Sequence, residues 1–255
     1  MSMANTGSAR SIATKAPAPW GLAALLLAAS MAAPPAASAA PPAPVPNADP
    51  AFPFSREIEA FAKANSAGPP VRDATLFLGS SSIRLWDIAG SFRDIRTVNR
   101  GFGGATTPHV LHYYKRLLPP VAPRAIVVYV GENDLAAGAA PETVANDIMA
   151  LLRRLRRDYP RAAISWLSLK PSPIRWTLRP KMAQVNAMVA ARAQRVQVEY
   201  LDVGTVLLAR DGLPDASLFT RDGLHMNARG YQRWSRLVHA WLDQATPAAS
   251  SPGAS

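Results

Sequence analysis

Short apolar runs alternate with longer amphipathic stretches through the middle of the chain. Ala74 to Leu78 is a run closed by Gly79. Ile95 to Val98 is a second, and Ala125 to Val130 a third that is nearly all apolar. Ala162 to Leu169 and Val196 to Leu201 are a fourth and a fifth. Runs apolar at successive positions suit parallel strands covered by helices on both faces. Between them, Pro141 to Tyr159 places Ile148, Leu151, Leu152, Leu155 and Tyr159 at helical spacing, with Arg153, Arg154, Arg156 and Arg157 on the other face. Tyr231, Trp234, Leu237, Val238, Trp241 and Leu242 mark a last helix, and Asn227 stands where it can cap it. Further helices are expected near 54–64, 108–118 and 178–195. The repeated β–α alternation predicts a three-layer α/β/α sandwich. In such sheets ligands sit beyond the carboxyl ends of the strands.

The ends of the chain read differently. Residues 1–39 have the pattern of a cleavable secretory signal. Arg10 and Lys15 precede an apolar stretch centred on Leu22, Leu25, Leu26 and Leu27, and Ala37-Ser38-Ala39 offers the small residues of a cleavage site. Pro34 and Pro35 stop that stretch short of a membrane span, which needs roughly 20 apolar residues. Residues 40–52 are a Pro/Ala-rich linker, 53–245 one domain, and 246–255 a small-residue tail expected to be disordered. On this reading the protein is secreted or periplasmic, with no transmembrane anchor after cleavage. The chain of 255 residues has no cysteine, which excludes disulfides, a cysteine nucleophile and a cysteine-ligated metal. Its formal charge of +11 falls to +9 without the signal, from 26 basic and 17 acidic residues. Such a charge favours contact with anionic surfaces. No basic–aromatic pattern of a nucleic-acid reader accompanies it.

Three polar segments follow three of the runs: Gly79-Ser80-Ser81-Ser82, Gly101-Phe102-Gly103-Gly104 and Gly131-Glu132-Asn133-Asp134. A fourth, Asp222-Gly223-Leu224-His225, precedes the last helix. A serine nucleophile needs a base, a carboxylate that orients the base, and donors for the oxyanion. Ser81 is either such a nucleophile or a turn and cap residue. His225 and Asp222 are either its base and orienting acid, joined by a tight turn at Gly223, or an Asp-Gly surface turn followed by a histidine. Gly104 allows close backbone approach to a reacting carbonyl, and the Asn133 amide is a donor; the bland readings are a plain loop and an Asx turn. His109 and His112, spaced i,i+3, suit packing better than a metal, because no carboxylate nearby completes a ligand set.

Taken in order, these four segments resemble the sequence blocks of the SGNH, or GDSL-type, hydrolase family, over roughly residues 73–243. The resemblance implies a flavodoxin-like sandwich of about five parallel strands. It also implies Ser81 as nucleophile and His225 as base oriented by Asp222. The oxyanion hole would comprise the Ser81 and Gly104 N–H groups and the Asn133 side chain, with no metal or organic cofactor. Ser80 stands where the family usually has aspartate. The stretch Lys170-Pro171-Ser172-Pro173-Ile174-Arg175-Trp176 looks like a subfamily loop; Arg175 and Trp176 either reach the pocket rim or belong to a surface loop. The function expected is an esterase acting through an acyl-Ser81 intermediate on short acyl chains, in the manner of a carbohydrate acetylesterase. The alternatives are a lysophospholipase- or thioesterase-type lipid acylhydrolase, and a non-catalytic binder of anionic cell-surface polymer.

Overall fold

A computed structural model describes residues 52–67 and 71–245. The expected signal segment, the tail and all of the linker but its last residue lie outside that range. Five parallel strands form the sheet: β1 (Thr75–Gly79), β2 (Thr97–Gly101), β3 (Ala125–Tyr129), β4 (Ala163–Leu167) and β5 (Glu199–Leu201), in the spatial order β2-β1-β3-β4-β5. This is the flavodoxin-like order, with its switch point at β1 and β3. Side chains alternate between two cores. Leu76, Leu78, Ile126, Val128, Ile164 and Trp166 enter one, while Phe77, Val127, Tyr129 and Leu167 enter the other. Two buried faces explain why β1, β3 and β4 are apolar at nearly every position.

The helices are α1 (Ser55–Ser66), α2 (Ser81–Arg84), α3 (Ile88–Ser91), α4 (Thr107–His112), α5 (Tyr114–Leu117), α6 (Glu132–Ala136), α7 (Pro141–Asp158), α8 (Arg179–Ala193) and α9 (Ala228–Ala245). α7 opens on Pro141, whose missing N–H has no intrahelical partner to lose, and buries Val144, Ile148, Leu151, Leu152 and Leu155. With Met182, Val185 and Val189 of α8 it covers the first core. α9 covers the second with Tyr231, Trp234, Val238, Trp241 and Leu242. The Asn227 side chain accepts the N–H groups of Arg229 and Gly230 at 3.0 and 3.2 Å, capping α9 as expected.

Three expectations shift. β2 begins later than its apolar run and continues into Asn99 and Arg100. Asn99 closes on its own strand end through Gly101 N–H, and buried Arg100 donates to the Leu117 carbonyl at 3.0 Å. The helix expected over 108–118 is two segments meeting at Tyr113, whose ψ opens to 5°. The arginine face of α7 is only partly solvated. Arg154 lies over the Tyr114 ring at 3.9 Å, and Arg156 donates to the carbonyls of Ala162 and Gln197 at 2.8 and 2.6 Å.

Candidate active site

β1 ends at Gly79, with φ +149°. A Cβ there would lie 1.9 Å from the Tyr129 carbonyl oxygen, so no other residue fits this close approach. The Ser80 N–H donates to that same oxygen at 3.0 Å, and the Ser80 carbonyl accepts the N–H groups of Ile83 and Arg84. The chain therefore turns sharply and Ser81 opens α2. Ser80 is buried and its side chain caps nothing. The residue standing in place of the aspartate shapes this turn through its backbone.

The second half of the site is the turn before α9. Gly223 has φ +64°, its N–H donates to the Thr220 carbonyl at 3.0 Å, and the Thr220 N–H donates to the His225 carbonyl at 2.8 Å. The left-handed turn brings the Asp222 carboxylate back onto its own loop. Oδ1 accepts the N–H groups of Leu224 and His225, each at 2.9 Å, and the Thr220 hydroxyl at 2.7 Å. Oδ2 lies 2.6 Å from His225 Nδ1. Burial alone would raise the Asp222 pKa, but hydrogen bonds from the His225 ring, the two backbone amides and Thr220 hold it far below the usual carboxylate range. Asp222 is thus ionised and accepts Nδ1–H. His225 Nε2 is left as an acceptor, 3.0 Å from Ser81 Oγ. The site is open: the Asp222 side chain is 48% exposed and that of His225 23%.

The oxyanion candidates follow β2 and β3. The Asn133 amide donates one hydrogen to the Ala105 carbonyl at 3.0 Å, which ties the amide to the loop carrying Gly104. Its second hydrogen and the N–H groups of Ser81 and Gly104 have no acceptor among the described residues. A Cβ at Gly104 would meet nothing within 4 Å, so this loop borders open space. All five expected residues thus lie at the carboxyl end of the sheet and its neighbouring turn. Together they offer a hydroxyl, a base that can take its proton, and free donors for a developing negative charge.

His109 and His112 are placed otherwise. His109 Nδ1 accepts the Thr106 N–H at 3.1 Å at the start of α4, and the His112 ring stacks on Phe52 at 3.7 Å. Among the described residues no three His, Cys, Asp or Glu side chains gather to hold a metal ion.

A buried ionic group beside the site escaped the sequence reading. Glu132 meets Lys170 at 3.2 Å and Arg175 at 3.1 Å, and the Tyr129 hydroxyl donates to it. Burial would raise the Glu132 carboxyl, but the Lys170 and Arg175 charges, with the Tyr129 hydroxyl, hold it below its ordinary value. Lys170 also donates to the Leu224 carbonyl at 2.9 Å, and Arg175 to Asn133 Oδ1 at 3.0 Å. Two features of the sequence point toward it: Arg175 lies in the 170–176 loop that offers a reach to the pocket rim, and Glu132 and Lys170 each stand shortly after a buried run.

The sequence model of the GDSL-like lipase/acylhydrolase family matches residues 84–233. Platelet-activating factor acetylhydrolase IB subunit alpha2 from Homo sapiens is 32% identical over 181 residues, covering 66% of this chain and 76% of the relative; the Rattus norvegicus protein matches to the same extent. A GDSL-like lipase structure from Bacteroides thetaiotaomicron superposes with a TM-score of 0.63 at 19% identity, covering 74% of this chain and 98% of that one, a likeness of fold. The OSK domain of Drosophila Oskar shares the fold too, with a TM-score of 0.55 at 15% identity over 72% of this chain and 96% of that domain.

Proposed function

Because the chain belongs to the GDSL-like lipase/acylhydrolase family and is an enzyme that hydrolyses ester bonds, we propose that Ser81 is its nucleophile, His225 its base and Asp222 the residue that orients the base. The observation that carries this reading is the continuous line from Asp222 Oδ2 through the imidazole to Ser81 Oγ, at 2.6 and 3.0 Å. Ser81 Oγ attacks the ester carbonyl as its proton passes to Nε2. The tetrahedral oxyanion is held by the N–H groups of Ser81 and Gly104 and by Asn133 Nδ2. Collapse expels the alcohol, which takes the proton from His225, and water then attacks the acyl-Ser81 ester by the same route in reverse. Each oxyanion donor supplies about 10²–10³ in rate.

The acyl group proposed is short, acetyl first. Relatives 32% identical to this chain are acetylhydrolases by name. For the alcohol side, the first reading is an acetylated carbohydrate met outside the cytoplasm after removal of residues 1–39. A lipid alcohol is the second, favoured by two exposed apolar residues on the segments that flank Ser81 and His225. Leu85 lies one turn beyond Ser81 and is 46% exposed; Ile174 is 67% exposed and its N–H donates to the Gly223 carbonyl at 3.1 Å.

The test compares the domain and its Ser81→Ala variant on p-nitrophenyl esters from acetyl to palmitoyl. Loss of acetyl-ester turnover in Ser81→Ala and falling rates with chain length are expected. Equal rates in the two proteins would overturn the nucleophile, and a preference for palmitoyl would overturn the short acyl group. Acetylated xylan against platelet-activating factor then separates the two alcohols. N-terminal sequencing of the exported protein checks a start at Ala40.

A further inference from the structure

Lys170 is fully buried and the Glu132 side chain only 4% exposed, yet neither takes part in the chemistry above. Burying such a pair carries a large desolvation penalty, and a hydrophobic pair of the same volume often gives equal or greater stability. The contacts beyond the pair give it a use. Arg175 stands across Glu132 and Asn133 like a fork, with Nη1 on Glu132 Oε1 at 3.1 Å and Nη2 on Asn133 Oδ1 at 3.0 Å. Glu132 holds the fork in place, and Lys170 makes a second ion pair with the same carboxylate at 3.2 Å.

The consequence falls on Asn133. A primary amide has an accepting end and a donating end of nearly the same shape, and only the donating end can stabilise an oxyanion. A guanidinium carries donors alone, so it tolerates only Oδ1 against it. The opposite end is claimed on one side by the Ala105 carbonyl, which accepts only from N–H. Both neighbours thus select one orientation, which leaves the second Nδ2 hydrogen unclaimed by either. We infer that Arg175 is a positioning residue: acting through Asn133, it sets the oxyanion donor, and the buried Glu132–Lys170 pair is its anchor. The inference rests on the proposed role of Asn133.

The experiment is a kinetic cycle on p-nitrophenyl acetate with wild type, Asn133→Ala, Arg175→Met and the double variant, each checked for its melting temperature. Asn133→Ala should lower kcat by about 10²–10³. Arg175→Met should lower kcat by about tenfold to 10²-fold, the size expected when a catalytic group is misplaced by about 1 Å, with KM within twofold. The double variant should be no slower than Asn133→Ala, because a positioning residue has nothing left to position. A residue serving only the fold would give effects that multiply and a KM or melting temperature that moves with them. Multiplying effects, or wild-type kcat in folded Arg175→Met, would overturn the inference and leave the nucleophile reading intact. Wild-type kcat in Asn133→Ala would overturn the oxyanion assignment and this inference with it. Should Arg175→Met not fold, Arg175→Lys runs through the same cycle. It keeps a cation opposite Glu132 but replaces the two-pronged fork with a point charge, and the same outcomes apply.

Discussion

Asp222→Asn isolates the role of one proton. In the wild-type turn, Oδ1 accepts from three donors, the Leu224 and His225 amides and the Thr220 hydroxyl, while Oδ2 faces the imidazole. An asparagine has one oxygen to offer. Facing that oxygen to His225 would turn its NH2 group onto two backbone N–H donors, losing bonds worth on the order of 1 kcal/mol each net and leaving donor against donor. The oxygen therefore stays on the backbone side and the NH2 group meets His225 Nδ1. Nδ1 becomes an acceptor, the ring proton moves to Nε2, and the base confronts the Ser81 hydroxyl with a hydrogen of its own. The turn survives and the base is lost. The same substitution in a serine-protease triad, with geometry intact, lowers kcat by about 10⁴, which is about 5 kcal/mol of barrier. Steady-state hydrolysis of p-nitrophenyl acetate, with calorimetry to show an unchanged melting temperature, measures it. A folded Asp222→Asn protein within tenfold of wild-type kcat/KM would refute the assignment of Asp222 and the tautomer argument behind it.

Two further variants test the frame around the site. Gly79→Ala puts a methyl group against the Tyr129 carbonyl and a side chain at φ +149°; strain of about 1–3 kcal/mol is expected from the dihedral alone, read as a lower melting temperature, and wild-type stability would refute the close approach. Glu132→Gln leaves Lys170 buried without its counter-charge and should cost about 3–5 kcal/mol near neutral pH by denaturant unfolding. Its pH dependence has a definite sign. The Glu132 pKa is lowered in the fold, so its stabilisation is complete above the ordinary glutamate value of about 4.3 and is lost as pH falls through the lower folded value. The gap between wild type and Glu132→Gln should begin to narrow as pH falls below about 4.3; a gap that widens on acidification would contradict this.

What the sequence made legible follows from what each residue contributes locally. Strands buried on both faces announce themselves as apolar runs, which makes β1, β3 and β4 plain; β2 and β5, at the sheet edges, carry polar residues and are marked by shorter runs. β2 was misjudged at its end because Asn99 and Arg100 lie in the strand while their side chains bond to the carbonyls of Ile83 and Leu117. Ser81, Gly104, Asn133, Asp222 and His225 were legible as candidates because each sits in a short polar segment at a strand end or before a helix, and only the order of those segments, resembling the SGNH blocks, chose among the readings each leaves open. The Glu132–Lys170–Arg175 group was not. Charged residues are exposed by default, and partners 38 and 43 positions away along the chain show no periodicity that would pair them.

The site is assembled from two parts with different supports. Gly79 is in register with Gly101 on one side and Tyr129 on the other, so the turns bearing Ser81, Gly104 and Asn133 leave adjacent strands about 4.8 Å apart. That half is fixed by sheet pairing and cannot be moved without unmaking the sheet. The turn bearing Asp222 and His225 belongs to no strand. It is joined to the loop after β4 by the Lys170 bond to the Leu224 carbonyl and the Ile174 N–H bond to the Gly223 carbonyl. The same loop reaches the other half through Arg175 and Asn133. One segment, 170–175, therefore bonds to both parts and links the turn bearing His225 to the loop bearing Asn133. It follows that lesions in β1–β3 should appear first as lost stability. Lesions confined to exposed or half-buried positions of 170–175 should appear as lost turnover in a folded protein.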